Sequence, residues 1–188
     1  MKSLLRIALF IDALNERVGR SVSWLILVAV LISAGNAVTR KLFSMSSNAF
    51  LEIQWYLFAA VFLLAAGYTL KCNEHVRIDI ITGRFGKRAQ AWLDIIGGLL
   101  FLLPMTLTIL YYSWPFFVNS LISREWSSNP GGLILWPAKA LIPAGFFLLL
   151  LQGFAEIIKR IGFLLGVEPP EPPPHSPLEN MIMHGEEA

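Results

Sequence analysis

Few side chains in this sequence could do chemistry, and their spacing does not bring them together. Three histidines, His75, His175 and His184, and one cysteine, Cys72, are the whole supply of imidazole and thiol in 188 residues. Haem or metal coordination needs such ligands to converge at short, regular spacing or from facing elements. Here His75 follows one apolar stretch and the other two fall in a Pro/Glu-rich tail. A single thiol allows neither an internal disulfide nor a multi-thiolate metal site. No Gly-rich phosphate loop and no nucleophile with a spaced base appear. The expectation is a chain with no catalytic residue, no cofactor and no metal of its own.

Carboxylates are the next candidates. Glu52, Asp94, Asn36 and Gln54 are polar residues toward the ends of long apolar stretches. Ionisable groups in such places are functional suspects by default, against the plainer reading of interface or helix-contact residues. Glu52 is the best exception to that plainer reading. It falls near the first turn of an expected helix, where the dipole favours a negative charge. It can pair with Arg40, Lys41 or Arg124, or with a partner's cation. The densest polar feature is His75-Val76-Arg77-Ile78-Asp79. Its alternation seats Val76 and Ile78 against a membrane or neighbour while His75, Arg77 and Asp79 bond to loop backbone, an organising role; the competing reading is a charged turn placed by topology alone.

The elements that must position these residues follow from composition. Apolar residues make up 55% and charged residues 15% of the chain, with mean hydropathy +0.61, far from an average soluble domain. Residues 21–39, 53–70 and 95–123 carry no Asp, Glu, Lys or Arg, and residues 133–155 carry only Lys139. A hydrocarbon core of about 30 Å takes about 20 helical residues. Four transmembrane helices are therefore expected, at about 21–42, 50–70, 92–114 and 134–157, forming an all-α membrane domain over 21–160. Eleven of the fifteen Lys and Arg residues lie before the first span, between the second and third, or after the fourth, which orients both termini inward by the positive-inside rule. The basic balance is explained by topology and lipid headgroups, with no nucleic acid needed.

Within this frame, residues 1–20 read as an amphipathic interfacial helix: Leu4, Ile7, Ile11, Leu14 and Val18 recur at helical spacing with Asp12 and Glu16 on another side. Its alternative is packing on a partner subunit. Asp12 within the apolar run and Glu16-Arg17 after it argue against a cleaved signal peptide. Ala29, Ser33 and Ala37 form a small-residue strip in the first span. Ser46, Ser47 and Asn48 offer caps for the second helix. Pro104 should kink the third helix and Pro115 should end it, leaving an outer loop. Trp114, Trp126 and Trp136 suit the outer headgroup layer, and Lys139 should snorkel outward. Residues 161–188 form a cytoplasmic end and tail, expected to be disordered from its six prolines and five glutamates after Val167.

Five groups of residues resemble one family: Glu52-Ile53-Gln54-Trp55-Tyr56-Leu57-Phe58 opening the second helix, His75-Val76-Arg77-Ile78-Asp79 after it, Pro104 in the third, and Gly131-Gly132-Leu133 with Trp136-Pro137 before the fourth. Over about residues 10–160 the chain resembles the small membrane subunit, the DctQ type, of tripartite ATP-independent periplasmic (TRAP) transporters. The resemblance implies a large M-type membrane subunit that binds sodium and carries substrate, and a periplasmic substrate-binding protein that delivers an organic acid. It implies a scaffold role for this chain, in the bacterial inner membrane. Glu52, Trp55, His75, Arg77 and Asp79 are the structural or interface candidates, and Arg124 and Glu125 the candidates for docking the binding protein. Gln54-Trp55 stand where many members carry a basic residue; with the long outer segment they resemble the subgroup associated with 2-oxo acids, mannitol-type or chloroaromatic compounds. The alternative from another class is the membrane anchor of an electron-transfer complex.

Overall fold

In a computed structural model, residues 2–43, 47–72 and 86–167 are described. The His75–Asp79 segment and the Pro/Glu-rich tail lie outside these residues. Among the described residues five α-helices follow in order: α1 Lys2–Phe43, α2 Asn48–Lys71, α3 Lys87–Gly97, α4 Leu103–Ile122 and α5 Trp136–Leu164. A π-helical turn, Gly98–Leu102, joins α3 to α4. Four helical stretches are long and apolar enough to cross a membrane: α1, α2, the α3–α4 unit and α5. The end that holds Phe43, Asn48 and residues 123–135 is termed outer, following the orientation read from the sequence.

α5 is the central element, packed against each of the other four helices, while α1 also packs on α2. Close approach is possible because α5 buries small residues, among them Gly145, Gly153 and Ala155, and without a hydrophobic drive in lipid such contacts are what helix association rests on. A Cβ at Gly145 would lie 2.6 Å from the carbonyl oxygen of Leu63 on α2, and backbone cannot swing aside as a side chain can. Gly145→Val should therefore separate α2 from α5, lowering stability by about 1–3 kcal/mol. The check is the thermal unfolding midpoint in detergent; an unchanged midpoint would rule out this contact as a constraint.

Two expectations about helix limits are corrected. Residues 1–20 do not form a separate element, because α1 runs unbroken for 42 residues with no proline to interrupt its ladder. Pro115 does not end the third span either; α4 continues through it to Ile122. A proline inside a membrane helix is tolerated where hydroxyls and local π adjustments take up the freed backbone groups. Here Ser113 donates to the carbonyl of Leu110 at 3.2 Å, and Thr106 to those of Leu102 and Leu103 at 2.8 and 3.0 Å, hydroxyl bonds close to the two prolines that do not reach the i−4 carbonyls of Leu100 and Tyr111. The π-turn just before Pro104 lets the Leu103 amide reach back to the Gly98 carbonyl. Pro104 thus coincides with a π irregularity in the ladder.

The expected strip on α1 is only partly used within the chain: Ala29 is fully buried, whereas Ser33 and Ala37 are exposed. Ser47 takes the N-cap position of α2 with an extended backbone but makes no side-chain cap bond. Asn48 instead donates its amide to the carbonyl of Pro130 at 2.9 Å.

Candidate functional site

Polar side chains gather at the two ends of the bundle. At the outer end, residues 125–135 double back as a short hairpin. Ser127 N–H bonds to Leu133 O and Leu135 N–H to Glu125 O, each at 2.9 Å, with a bridge between Trp126 and Ile134. This loop sits on the Glu52 carboxylate. One oxygen accepts from the Ser127 hydroxyl and from the Asn129 amide at 2.9 Å; the other accepts from the Leu133 backbone N–H at 2.6 Å. Glu52 is 4% exposed. A Cβ at Gly132 would lie 2.8 Å from its carboxylate oxygen and 2.7 Å from the Ser127 hydroxyl, so glycine is what lets the turn close over it. Tyr56, one turn further on, donates its hydroxyl to Ile134 O at 3.1 Å.

This corrects the expected partners of Glu52 within the chain. Its partners are hydrogen-bond donors of the outer loop, and none of Arg40, Lys41 or Arg124 pairs with it. Trp55, by contrast, is 67% exposed and turned away from this cluster.

Arg124 and Glu125, the expected docking pair, serve different ends. Arg124 has φ +48° and closes α4: its N–H bonds to Leu121 O and that of Glu125 to Ser120 O, the double bond of a Schellman motif. α5 ends with the same pattern built on Gly166 at φ +72°, the residue type such a position favours. Arg124 is exposed, held in a conformation that L residues avoid. Arg124→Gly should raise the thermal midpoint by about 2–4 °C; a midpoint that falls would show the arginine side chain to be needed for the fold.

Glu125 turns back on the bundle and pairs with Lys139 of α5, whose ammonium also lies 4.1 Å from the centre of the Phe116 ring. Lys139 extends its ammonium to the outer segment, its side chain 16% exposed. The Lys139 ammonium holds the Glu125 carboxyl below the ordinary glutamate value of 4.5. A depressed carboxylate contributes stability above its unfolded value and loses it as pH falls through the folded one. Hydrogen-exchange protection of the Leu135 amide should stay constant from neutral pH to 4.5 and fall only below it. Loss of protection already at neutral to mildly acid pH would contradict this pairing.

The second cluster lies toward the inner end and was not anticipated from sequence. Gln152 of α5 is fully buried. Its amide nitrogen donates to Asp12 at 2.6 Å and to Glu156 at 3.1 Å, while its oxygen accepts from Asn15 at 2.8 Å. Lys159 bridges Asp12 at 3.0 Å and Glu156 at 2.6 Å. Beside it Glu16 bonds Lys71 of α2 at 2.6 Å, and Arg160 bonds Asp94 of α3 at 3.1 Å. Ala8, Ile11 and Ala155 pack next to this layer. The polar side of the amphipathic segment therefore faces the protein, tying α1 to α2 and α5. The one sequence signal was Gln152 itself, an amide inside the fourth apolar stretch.

Chemically, the carboxylates of both clusters are engaged, while the buried Asn15 Oδ1 of the inner one has no partner among the described residues. Each Glu52 oxygen already accepts a bond, and the inner carboxylates share one ammonium and one amide. Among the described residues no three His, Cys, Asp or Glu side chains converge as metal ligands would. A groove of about 1300 Å³ between α4 and α5 is walled by Leu107, Tyr111, Trp114, Pro115, Phe117 and Phe147, a lining suited to apolar matter. The family model for the DctQ component of tripartite ATP-independent periplasmic transporters matches residues 29–162. The chain belongs to the DctQ family. The match takes in the outer part of α1, all of α2, α3 and α4 and nearly all of α5, with the Glu52 cradle and the α5 half of the inner cluster. Comparison with curated proteins and with solved structures gives no match. As a DctQ protein the chain is the small membrane component of a TRAP transporter.

Proposed function

We propose that this chain is the non-catalytic scaffold of a sodium-coupled, binding-protein-dependent transporter for organic acids. It pairs in the bacterial inner membrane with a large M-type subunit that binds sodium and carries the substrate, and both of its termini face the cytoplasm. A periplasmic substrate-binding protein docks on the outer side, where Arg124 is the exposed candidate; Glu125 serves that surface indirectly, through its pairing with Lys139. The observation that carries this reading is that Glu52, Asp12, Gln152, Glu156 and Lys159 are engaged with partners inside this chain. Secondary transporters place polar groups and broken helices around a solute near midplane. Here the engaged polar groups lie at the two ends and brace the helices, and the large groove is apolar. A brace holds a moving partner in place.

The test is reconstitution in vesicles under a sodium gradient, with the chain alone, the large subunit and binding protein without it, and all three together. Uptake of a candidate acid only in the third preparation is expected. Uptake by the chain alone, or full uptake without it, would overturn the proposal.

A further inference from the structure

The first five turns of α1 carry a face that the fold leaves uncovered. At 3.6 residues per turn, Arg6, Phe10 and Arg17 fall within about 40° of one another, roughly opposite the buried Ala8, Asp12 and Asn15. Phe10 is 71% exposed, and Arg6 and Arg17 are exposed on either side of it. Ile7 extends the apolar part at one edge, and Arg20, 73% exposed although bonded to Glu16, extends the basic part at the other.

Charge makes the face specific. The acids of this segment are turned inward: Asp12 is held by Lys159 and Gln152, and Glu16 by Lys71 and Arg20. Among the described residues Arg6 and Arg17 make no ion pair. What remains outside is an aromatic ring and aliphatic side chains flanked by unneutralised guanidiniums. An acidic protein surface would satisfy the guanidiniums but leave Phe10 and Ile7 against polar groups. The boundary layer of an anionic bilayer offers both phosphate and acyl chain at one depth.

Length agrees. Forty-two helical residues span about 63 Å at 1.5 Å per residue, against about 40–45 Å for a bilayer with its headgroups. An upright α1 would push this segment into water with Phe10 bare; a tilt toward its exposed side returns it to the headgroup layer.

We infer that the Arg6–Phe10–Arg17 face of α1 is a docking surface for anionic phospholipid headgroups of the inner leaflet, and that it sets the tilt of the helix. The full-length chain with Phe10→Cys in a Cys72→Ser background, spin-labelled at position 10, would be placed in nanodiscs of phosphatidylcholine alone or with phosphatidylglycerol. Collision with oxygen reports lipid contact, and collision with a nickel chelate reports water. Lipid contact is expected in the anionic discs, with the docked fraction falling strongly in neutral discs. Arg6→Gln with Arg17→Gln should lower the ratio of docked to free segment by roughly 30-fold, from about one interaction of thermal significance per cation. Equal water contact in both lipids would overturn the inference. So would a label shielded from both reagents whatever the lipid, which would place a protein on this face. Helicity and monodispersity of each variant establish that it is folded.

Discussion

Gln152→Leu is expected to cost about 2–4 kcal/mol, the range for leaving buried polar partners unpaired. Leucine nearly fills the space of glutamine, so the loss comes from hydrogen bonds rather than from a cavity. Asn15 would keep only its 3.3 Å bond to the Ile11 carbonyl, and Asp12 and Glu156 would depend on Lys159 alone. Gln152 is fully buried, so bulk water does not reach the site to replace the amide. The thermal midpoint in detergent and the recovery of monodisperse protein report the effect. A double variant, Asn15→Leu with Gln152→Leu, should recover part of the loss because both partners go together. A single variant as stable as the native chain would show the layer to be dispensable.

The second large effect belongs to Glu52→Ala. Three donors on the outer loop, the Ser127 hydroxyl, the Asn129 amide and the Leu133 N–H, converge on this carboxylate. Without it the loop keeps its internal hairpin bonds but loses its seat on α2. Hydrogen exchange over residues 126–133 should speed at least about tenfold, the change that corresponds to one lost hydrogen bond of ordinary strength. Glu52→Gln should give a smaller change, since its carbonyl still accepts while its amide meets donors. If exchange in Glu52→Ala is unaltered, the cradle does not hold the loop.

The sequence made the existence of four spans legible because charge is excluded from the hydrocarbon core so strictly that bare composition marks it. It placed Glu52 as exceptional for the same reason. What composition does not carry is the identity of partners. Ser127, Asn129 and a backbone N–H are unremarkable in sequence and lie 75–81 residues from Glu52. A carboxylate near four outer cations suggested an ion pair, and neutral donors satisfied it instead. Pro115 misled because the rule that prolines end helices is learned where water competes for freed carbonyls. The amphipathic segment was read by its apolar stripe, yet Asp12 and Asn15 decided its packing, through contacts 137–147 residues away. His75, Arg77 and Asp79 fall outside the described residues, so their organising role rests on the sequence alone.

The central place of α5 has a consequence for how the chain is made. It is the last of the four spans to leave the ribosome, and it carries the groups that complete the inner cluster. Asn15 is synthesised 137 residues before Gln152, roughly 7–27 s earlier at ordinary translation rates. Through that interval Asp12 lacks both of its partners and Asn15 keeps only the Ile11 carbonyl. Three inserted spans are thus an unfinished product that cellular quality control can recognise, and a chain broken off before α5 would be a substrate for the membrane's proteases rather than a weakened transporter part.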